Sequence, residues 1–309
     1  DGALIPDCDY AALAARMMDV PRTAPMARPA PRPPVGSRPR GLTVTEIETW
    51  LRDPYAIYAK HILKLRPLGA LDQAIGALER GTALHKAMED FIAAHPGALP
   101  DDAAIALAQV ADAVFAEAEI PRAALAVWRP RFFGVAQAFI AVERERRADI
   151  ARAFTEQPGK LVFDAPGGAF TLSCRADRID VLKDGSAAIL DYKSGAIPTG
   201  PQVQELLAPQ LPLEGAILAA GGFREVGTYV AEELIYLSLA DGKKASRPVA
   251  IKDAAALAVR AREKLAQRVA WFDDPTTPYL SRVRPYRSDS AGDYDHLARV
   301  GEWSGGGEA

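Results

Sequence analysis

Three residues near the middle of the chain, Asp177, Asp191 and Lys193, have the types and spacing that metal-assisted phosphodiester hydrolysis requires. Two aspartates supply hard oxygen donors of the kind that suit Mg²⁺ or Mn²⁺. Such a cation can activate and orient a water and stabilise the charge that develops at phosphorus. A lysine beside that water neutralises negative charge in the transition state. Asp191 and Lys193 are two apart, so on a strand they share one face. The plainer alternative is an Asp–Lys surface pair plus an aspartate beside a turn.

The choice between these depends on how the flanking segments pair. RADRIDVL (175–182) and AAILDYK (187–193) are β-prone and meet at Lys183-Asp184-Gly185, a strong hairpin signal. If those three residues form the loop, Leu182 pairs with Ser186 and Asp177 lies directly opposite Asp191. A loop of Asp184-Gly185 alone shifts the register by one and leaves the carboxylates as near neighbours. Like charges facing each other across a sheet repel, and a cation between them reverses the sign. The run Ala187-Ala188-Ile189-Leu190 is of the kind that fills a buried strand. A carboxylate at its end needs a partner, because burying a bare charge is costly.

Other elements must hold this hairpin. Residues 9–18 can form a short helix, and the Pro- and Arg-rich stretch from Pro21 to Gly41 reads as an extended linker. Its arginines, Arg22, Arg28, Arg32, Arg38 and Arg40, could touch phosphates or simply solvate a tether. Thr43 and Glu46 have capping-box spacing ahead of Ile47, Trp50 and Leu51. Pro54 ends that helix, and a second carries Ile57 to Leu65. Helical periodicity resumes over roughly 74–95, 101–118 and 122–154. Short strands follow at 160–164 and 169–174, then the hairpin, a helix over 203–220, a strand within 225–240 and a helix over 251–273. This order predicts an α/β fold in which a small mixed sheet is flanked by helices and embedded in a helical domain. The expected organisation is an N-terminal segment and linker (1–41), one domain (42–280) and a tail (281–309) that packs on it.

Composition removes several function classes. The chain has 309 residues, 49% hydrophobic and 25% charged, with a formal net charge of −3. That charge does not advertise nucleic-acid binding, although a local basic groove can coexist with acidic surface elsewhere. No run of eighteen apolar residues appears, so no membrane association is expected. Two cysteines, Cys8 and Cys174, make neither a disulfide framework nor a zinc site and fit a reducing cytoplasm. No GxxxxGK[ST] loop for ATP is present. The opening Asp1, without Met or leader, reads as entry in mid-chain of a longer protein. Arg144, Arg146 and Arg147, interleaved with Glu143 and Glu145, read as a solvated helix face. Arg282, Arg284 and Arg287 around Tyr286 could follow a nucleic-acid backbone.

The string ADRIDVLKDGSAAILDYKSG (176–195) resembles motifs II and III of the RecB-like branch of the PD-(D/E)XK nucleases. GTALHKAMEDF (81–91) resembles that family's upstream G-x-x-x-H helix, and APQLPLEGAIL (208–218) its downstream Gln-containing helix. The resemblance implies a restriction-endonuclease-like core and a Mg²⁺-dependent deoxyribonuclease of exonuclease type. It makes His85 a further metal ligand, with the backbone carbonyl of Tyr192 as another, and puts Gln210 near the substrate or the lysine. Taken alone, His85 is more often a packed or solvated histidine on a helix. Glu89, one turn on, shares its face and either orients the imidazole, touches the metal through water or is an ordinary exposed glutamate.

Residues 42–65 and 294–303 further resemble the nuclease regions of AddB-type helicase–nuclease subunits of the alphaproteobacterial kind. This implies single strands of unwound DNA as substrate, an AddA-type partner, and a role in resecting double-strand breaks for recombination repair. Many such regions bind a [4Fe–4S] cluster through four cysteines. Here Asp53 stands where a cysteine would precede proline and the tail after 280 has none, so no iron–sulfur cluster is expected. Packing of Tyr294, Leu297 and Trp303 on the domain is expected to hold the tail. Glu214 stands where relatives often have tyrosine, and Cys174 where glycine is common. Two other readings stay open: a catalytically silent DNA- or partner-binding module, and a stand-alone exonuclease.

Overall fold

The computed structural model describes residues 9–19, 26–68, 76–240, 248–285 and 291–304. The capping box forms as its spacing predicts: the Thr43 hydroxyl accepts from Glu46 N at 3.2 Å, and Glu46 accepts from Thr43 N at 2.9 Å. It follows strand β1 (Gly41–Thr43) and starts helix α2 (Val44–Arg52), itself preceded near the N-terminus by α1 (Tyr10–Met18). Pro54 opens α3 (Pro54–Ile57), which runs into a π-type turn at Tyr58–Ile62. Helices α4 (Ala77–Ala94), α5 (Ala103–Glu117) and α6 (Arg122–Arg147) follow.

The helical expectation to residue 154 fails. Strand β2 (Ile150–Phe163) begins three residues after α6 and pairs antiparallel with β3 (Phe170–Leu182) along its length. Pairing with a buried neighbour overrides a local pattern that was compatible with either state. Likewise β3 is one strand rather than two. The remaining elements are β4 (Ala187–Lys193), α7 (Gly200–Gln204), α8 (Gln210–Ala219), β5 (Ala231–Ser238), β6 (Pro248–Ile251), α9 (Ala254–Asp273) and α10 (Val300–Trp303).

Among the described residues six strands form one mixed sheet, in the order β1-β3-β4-β5-β6 with β2 paired to β3. Because β2 occupies one whole edge of β3, β1 and β4 must share the other edge. β1 pairs parallel with Thr171–Ser173, and β4 pairs antiparallel with Arg178–Val181. The sheet therefore opens at Cys174–Asp177. Strand β4 pairs parallel with β5 on its far side, through the crossover that contains α7 and α8.

Alternation along the strands sends side chains into two cores. On one face Ile179, Ile189 and Tyr236 join α2, α8 and α9 through Trp50, Leu211, Ile217 and Phe272. On the other, Tyr192 and Leu237 join α4, α5 and α6 through Met88, Phe91, Leu107 and Phe139. This is the α/β architecture expected, a small mixed sheet with helices on both sides.

Two surface readings change. From residue 26 on, the Pro/Arg-rich stretch docks on the domain, with one 3-10 turn at Val35–Ser37. Arg38 is buried, donating to the carbonyls of Pro33, Phe272, Asp274 and Pro275, while Arg32 donates to Thr276 O at 2.8 Å. Arg28 and Arg40 bond Ser281 O and Asp273, and Arg22 lies outside the described residues. Nor is α6's end a solvated arginine face. Arg147 pairs with buried Glu143, and Arg146 with Asp180 and Glu233; Arg144 alone stays exposed, on Pro100 O and Asp101 O.

The tail packs through Tyr294, Ala298 and Val300 against Tyr55 and Ala59, with Trp303 beside them. Tyr294 donates to Leu65 O at 2.9 Å, and Asp53 accepts from Arg282 N at 3.3 Å. Leu297, expected in this contact, points outward at 42% exposure.

Candidate active site

The β3–β4 hairpin settles the register. Leu182 N donates to Ser186 O at 2.9 Å, and Gly185 takes φ 88°, which glycine tolerates without strain. Arg178 faces Leu190 and Val181 faces Ala187, so one step further Asp177 stands opposite Asp191. This is the three-residue loop. The strand from Ala187 to Tyr192 is buried, and Asp191 is only 2% exposed.

Five side chains meet there. Asp191 Oδ1 accepts from Lys193 Nζ at 3.0 Å and from Gln210 Nε2 at 2.6 Å, while Gln210 Oε1 accepts from Lys193 Nζ at 3.0 Å. The three groups close a triangle. Gln210 is the first residue of α8, whose buried Leu211, Leu213, Ile217 and Leu218 pin the helix to the core. Asp177 Oδ2 accepts from Tyr192 N at 2.8 Å and lies 3.4 Å from His85 Nδ1.

His85 reaches this point because α4 comes close to the end of β4. A Cβ on Gly81 would lie 2.9 Å from Ser194 Oγ, so glycine permits the approach. The Tyr192 ring points away into the helical core, edge-on to His85 at 6.0 Å and to Phe139 at 6.1 Å. Glu89 pairs with Lys86 at 3.1 Å and shares with His85 a cleft of about 480 Å³ that also holds Glu156, Arg175 and Asp177. Arg287 and Tyr286 lie outside the described residues, and Arg282 pairs with Asp295.

The field at this point is negative. Burial pushes the Asp191 carboxyl up to about 6, with Asp177 adding to the rise and Lys193 opposing it. Burial lifts Glu214 well above its ordinary value, helped by Asp191 and Asp177. Burial, then Asp177 and Glu89, raises Glu156. For His85 and Lys193 burial acts downward, but the aspartates outweigh it and both are raised. Carboxyls whose pKa values are raised beside cations whose values are also raised describe a site short of positive charge.

The donor set suits a hard divalent cation: two carboxylates and an imidazole, with Asp191 Oδ2 buried and lacking an aligned hydrogen bond. The Lys193 ammonium is 2.8 Å from that oxygen, an off-axis ion pair. Among the described residues no three His, Cys, Asp or Glu side chains already close around one point. His85 leans on Asp177 and Lys193 on Asp191, so each charge is covered by its neighbour.

Glu156 escaped sequence reasoning at this site, and Glu214 stood out only as a departure from the tyrosine common in relatives. Glu156 lies on β2 between the pairs Thr155–Arg178 and Gln157–Ala176, thus across from Asp177, with φ 51°. It fell between the helix expected to end at 154 and the strand expected from 160, and no spacing signalled it. Glu214 is fully buried one turn along α8, where its Oε1 accepts from Gln210 at 3.3 Å and its Oε2 has no partner. A lone glutamate in the apolar run QLPLEGAILA was the available signal.

A mixed sheet that opens beside two facing aspartates and a lysine places the chain in the class of α/β nuclease folds. Residues 41–281 match the model of the PD-(D/E)XK nuclease superfamily, and the chain belongs to that family. It is similar to an uncharacterized protein of Rickettsia bellii (strain RML369-C), 31% identical over 191 residues that cover 62% of this chain and 23% of the relative. Uncharacterized protein RC0550 of Rickettsia conorii (strain ATCC VR-613 / Malish 7) is likewise 31% identical, over 60% of this chain and 23% of its own length. The chain thus spans under a quarter of these relatives. A solved structure described as "Crystal structure of SSO0001" covers 84% of this chain and 83% of its own at 12% identity and a TM-score of 0.32, too low to carry an argument.

Proposed function

We propose that this chain is an active, divalent-metal-dependent deoxyribonuclease that hydrolyses phosphodiester bonds in single strands of unwound DNA. The observation that carries this reading is the closed Lys193–Asp191–Gln210 triangle set opposite Asp177 and His85. A silent module has no use for a half-buried lysine held by two partners at once.

In this reading Asp177, Asp191, His85 and the backbone carbonyl of Tyr192 hold the cation. Bound there, Mg²⁺ (or Mn²⁺) supplies Lewis acidity and lowers the pKa of the attacking water. Lys193 orients that water and offsets the charge growing on the scissile phosphate. Gln210 fixes the ammonium, so that little reorganisation is needed when charge develops. Asp177 is steadied by the Tyr192 amide, and His85 by the close approach of α4 at Gly81.

The resemblance of residues 42–65 and 294–303 to AddB-type subunits supports a finer reading. The chain then serves in a cytoplasmic helicase–nuclease, beside an AddA-type partner, in end resection for double-strand break repair. Cleavage of end-labelled single-stranded DNA with Mg²⁺ tests the chemistry, comparing wild type with Lys193→Ala and with any partner nuclease disabled in both. Cutting that falls at least about a hundredfold in the variant is expected. DNA binding without cutting in either sample would instead favour the silent module.

A further inference from the structure

Helix α9 buries Leu257, Ala261, Leu265, Val269 and Phe272 against the sheet. An adjacent face presents Arg260, Lys264 and Arg268, four residues and about 6 Å of helix rise apart. Trp271 follows on the next turn, 57% exposed, with the Arg268 guanidinium 5.9 Å from its ring. Arg284 joins them from the tail. Together with Leu51, Leu207 and Pro209 these residues line a groove of about 580 Å³ between α2, the α7–α8 connection and α9.

The charge in this groove is uncompensated. Among the described residues none of the four cations is in an ion pair, and Glu205 is the one carboxylate lining the groove. Arg268 donates to Trp50 O at 3.4 Å and Arg260 to Gln204 O. Those carbonyls orient the guanidiniums without neutralising them. Arg268 is partly buried beside Arg284, and burial together with that neighbour draws its pKa down to about 10. Holding two cations together without an acid costs free energy that a bound anion would return. In a chain of net charge −3, four cations without an ion pair among the described residues are a local concentration, not an average surface.

We propose that this groove carries the phosphodiester backbone of the single strand on its way to the candidate active site, with Trp271 as a base-stacking platform. The proposal rests on the nuclease reading above. A ladder of cations with an exposed aromatic at its end suits single-stranded nucleic acid, because stacking is sequence-tolerant and the backbone supplies the charge. The groove also adjoins the chemistry through the chain. Leu207 and Pro209 line it, and the next residue is Gln210, which holds Asp191 and Lys193.

The test uses the 309-residue chain and fluorescein-labelled oligothymidylates of 6 and 30 nucleotides. Anisotropy in EDTA, where nothing can be cut, is followed against salt for wild type, Lys264→Glu, Lys264→Glu/Arg268→Glu and Trp271→Ala. Lys264 is exposed, so its variant keeps the fold and guards against a misfolded double variant. We expect the 30-mer to bind about tenfold or more weakly to the double variant, with a salt slope shallower by about 1.4 for two lost phosphate contacts. Trp271→Ala should remove most of the tryptophan quenching by DNA. With Mg²⁺, cutting of the 6-mer should be unchanged while KM for the 30-mer rises.

Unchanged affinity and slope in both charge variants, or no DNA binding by wild type, would overturn the proposal. So would displacement of the 30-mer from wild type by an acidic peptide with equal loss in Trp271→Ala, which would assign the groove to a protein segment. The two readings fail separately. Wild-type chain that binds through the groove but cuts nothing defeats the nuclease reading alone, and cutting that ignores all groove variants defeats the groove alone.

Discussion

Gln210 makes the sharpest residue-scale prediction, because it bonds both the lysine and the buried aspartate. Gln210→Ala removes two hydrogen bonds to charged groups, worth roughly 1.5–3 kcal/mol each. Single-turnover cleavage should slow by about 10- to 100-fold with little change in KM, since Gln210 acts through Lys193. Glu214 makes the opposite kind of prediction. Its carboxyl is fully buried with one oxygen unpartnered, and its pKa is raised in the folded chain. Below the ordinary carboxylate value both folded and unfolded forms are protonated, and no penalty exists. Above that value the unfolded chain ionises and the folded chain does not, so stability falls as pH rises towards the raised pKa. Glu214→Gln cannot ionise. It should raise stability at pH 8 by on the order of 1–2 kcal/mol and leave it nearly unchanged at pH 4. Thermal melts at the two pH values check this, and equal shifts at both would contradict it.

At the scale of elements, the site depends on how closely α4 approaches β4. Gly81→Ala places a Cβ 2.9 Å from Ser194 Oγ, so either the serine turns or the helix retreats and carries His85 with it. Activity should fall about tenfold or more while the melting temperature moves little, because a displacement of about 1 Å is enough to cost reaction rate. Adding Ser194→Gly should restore the rate. Failure of that rescue would mean that Gly81 serves the helix itself. Across the sheet, Arg178 donates to both Glu143 oxygens at 2.7 and 3.0 Å and to Asp180 at 2.6 Å, all three buried. This network fastens α6 beneath β3 next to Asp177, and alternation along the strand keeps it on the face opposite the chemistry.

On the scale of the whole molecule, the docked strap and the tail clamp the same side of the domain. Arg38 donates to four carbonyls drawn from its own stretch and from the end of α9 and the turn after it. Arg38→Ala leaves those buried acceptors unpaired, and should cost roughly 2–3 kcal/mol and open residues 26–40 to proteolysis. Cleavage of single-stranded DNA should persist, since the described hydrogen bonds from residues 26–40 to the rest of the chain lie on α9, the segment after it and around the start of β3, away from Asp177, Asp191 and Lys193. Limited proteolysis with mass mapping would show this, and an unchanged digestion pattern would mean that the strap is held chiefly by its prolines. The tail is fastened by different means: Tyr294 to Leu65, Asp53 to Arg282 N, and the apolar contacts of Ala298 and Val300.

Much of the site was legible because its information is local. Hairpin loop, strand period and the apolar run together put Asp177 opposite Asp191 or one step from it, with Lys193 on the face of Asp191, and the strand pairing then chose the three-residue loop. The capping box at Thr43 and the apolar stripe of α9 were legible for the same reason, since each is satisfied within a few residues. What only the tertiary structure decided are properties set by partners distant in sequence. Residues 150–157 became strand because β3 lay beside them. Arg38 was buried, and Arg146 and Arg147 half-buried, because carbonyls and carboxylates from elsewhere met them. Glu156 reached Asp177 through sheet pairing, and Glu214 lost its solvent to the packing of α8. Charge and hydrogen-bond demand are written in each residue, but whether water or another part of the chain meets that demand depends on packing, which no short window of sequence contains.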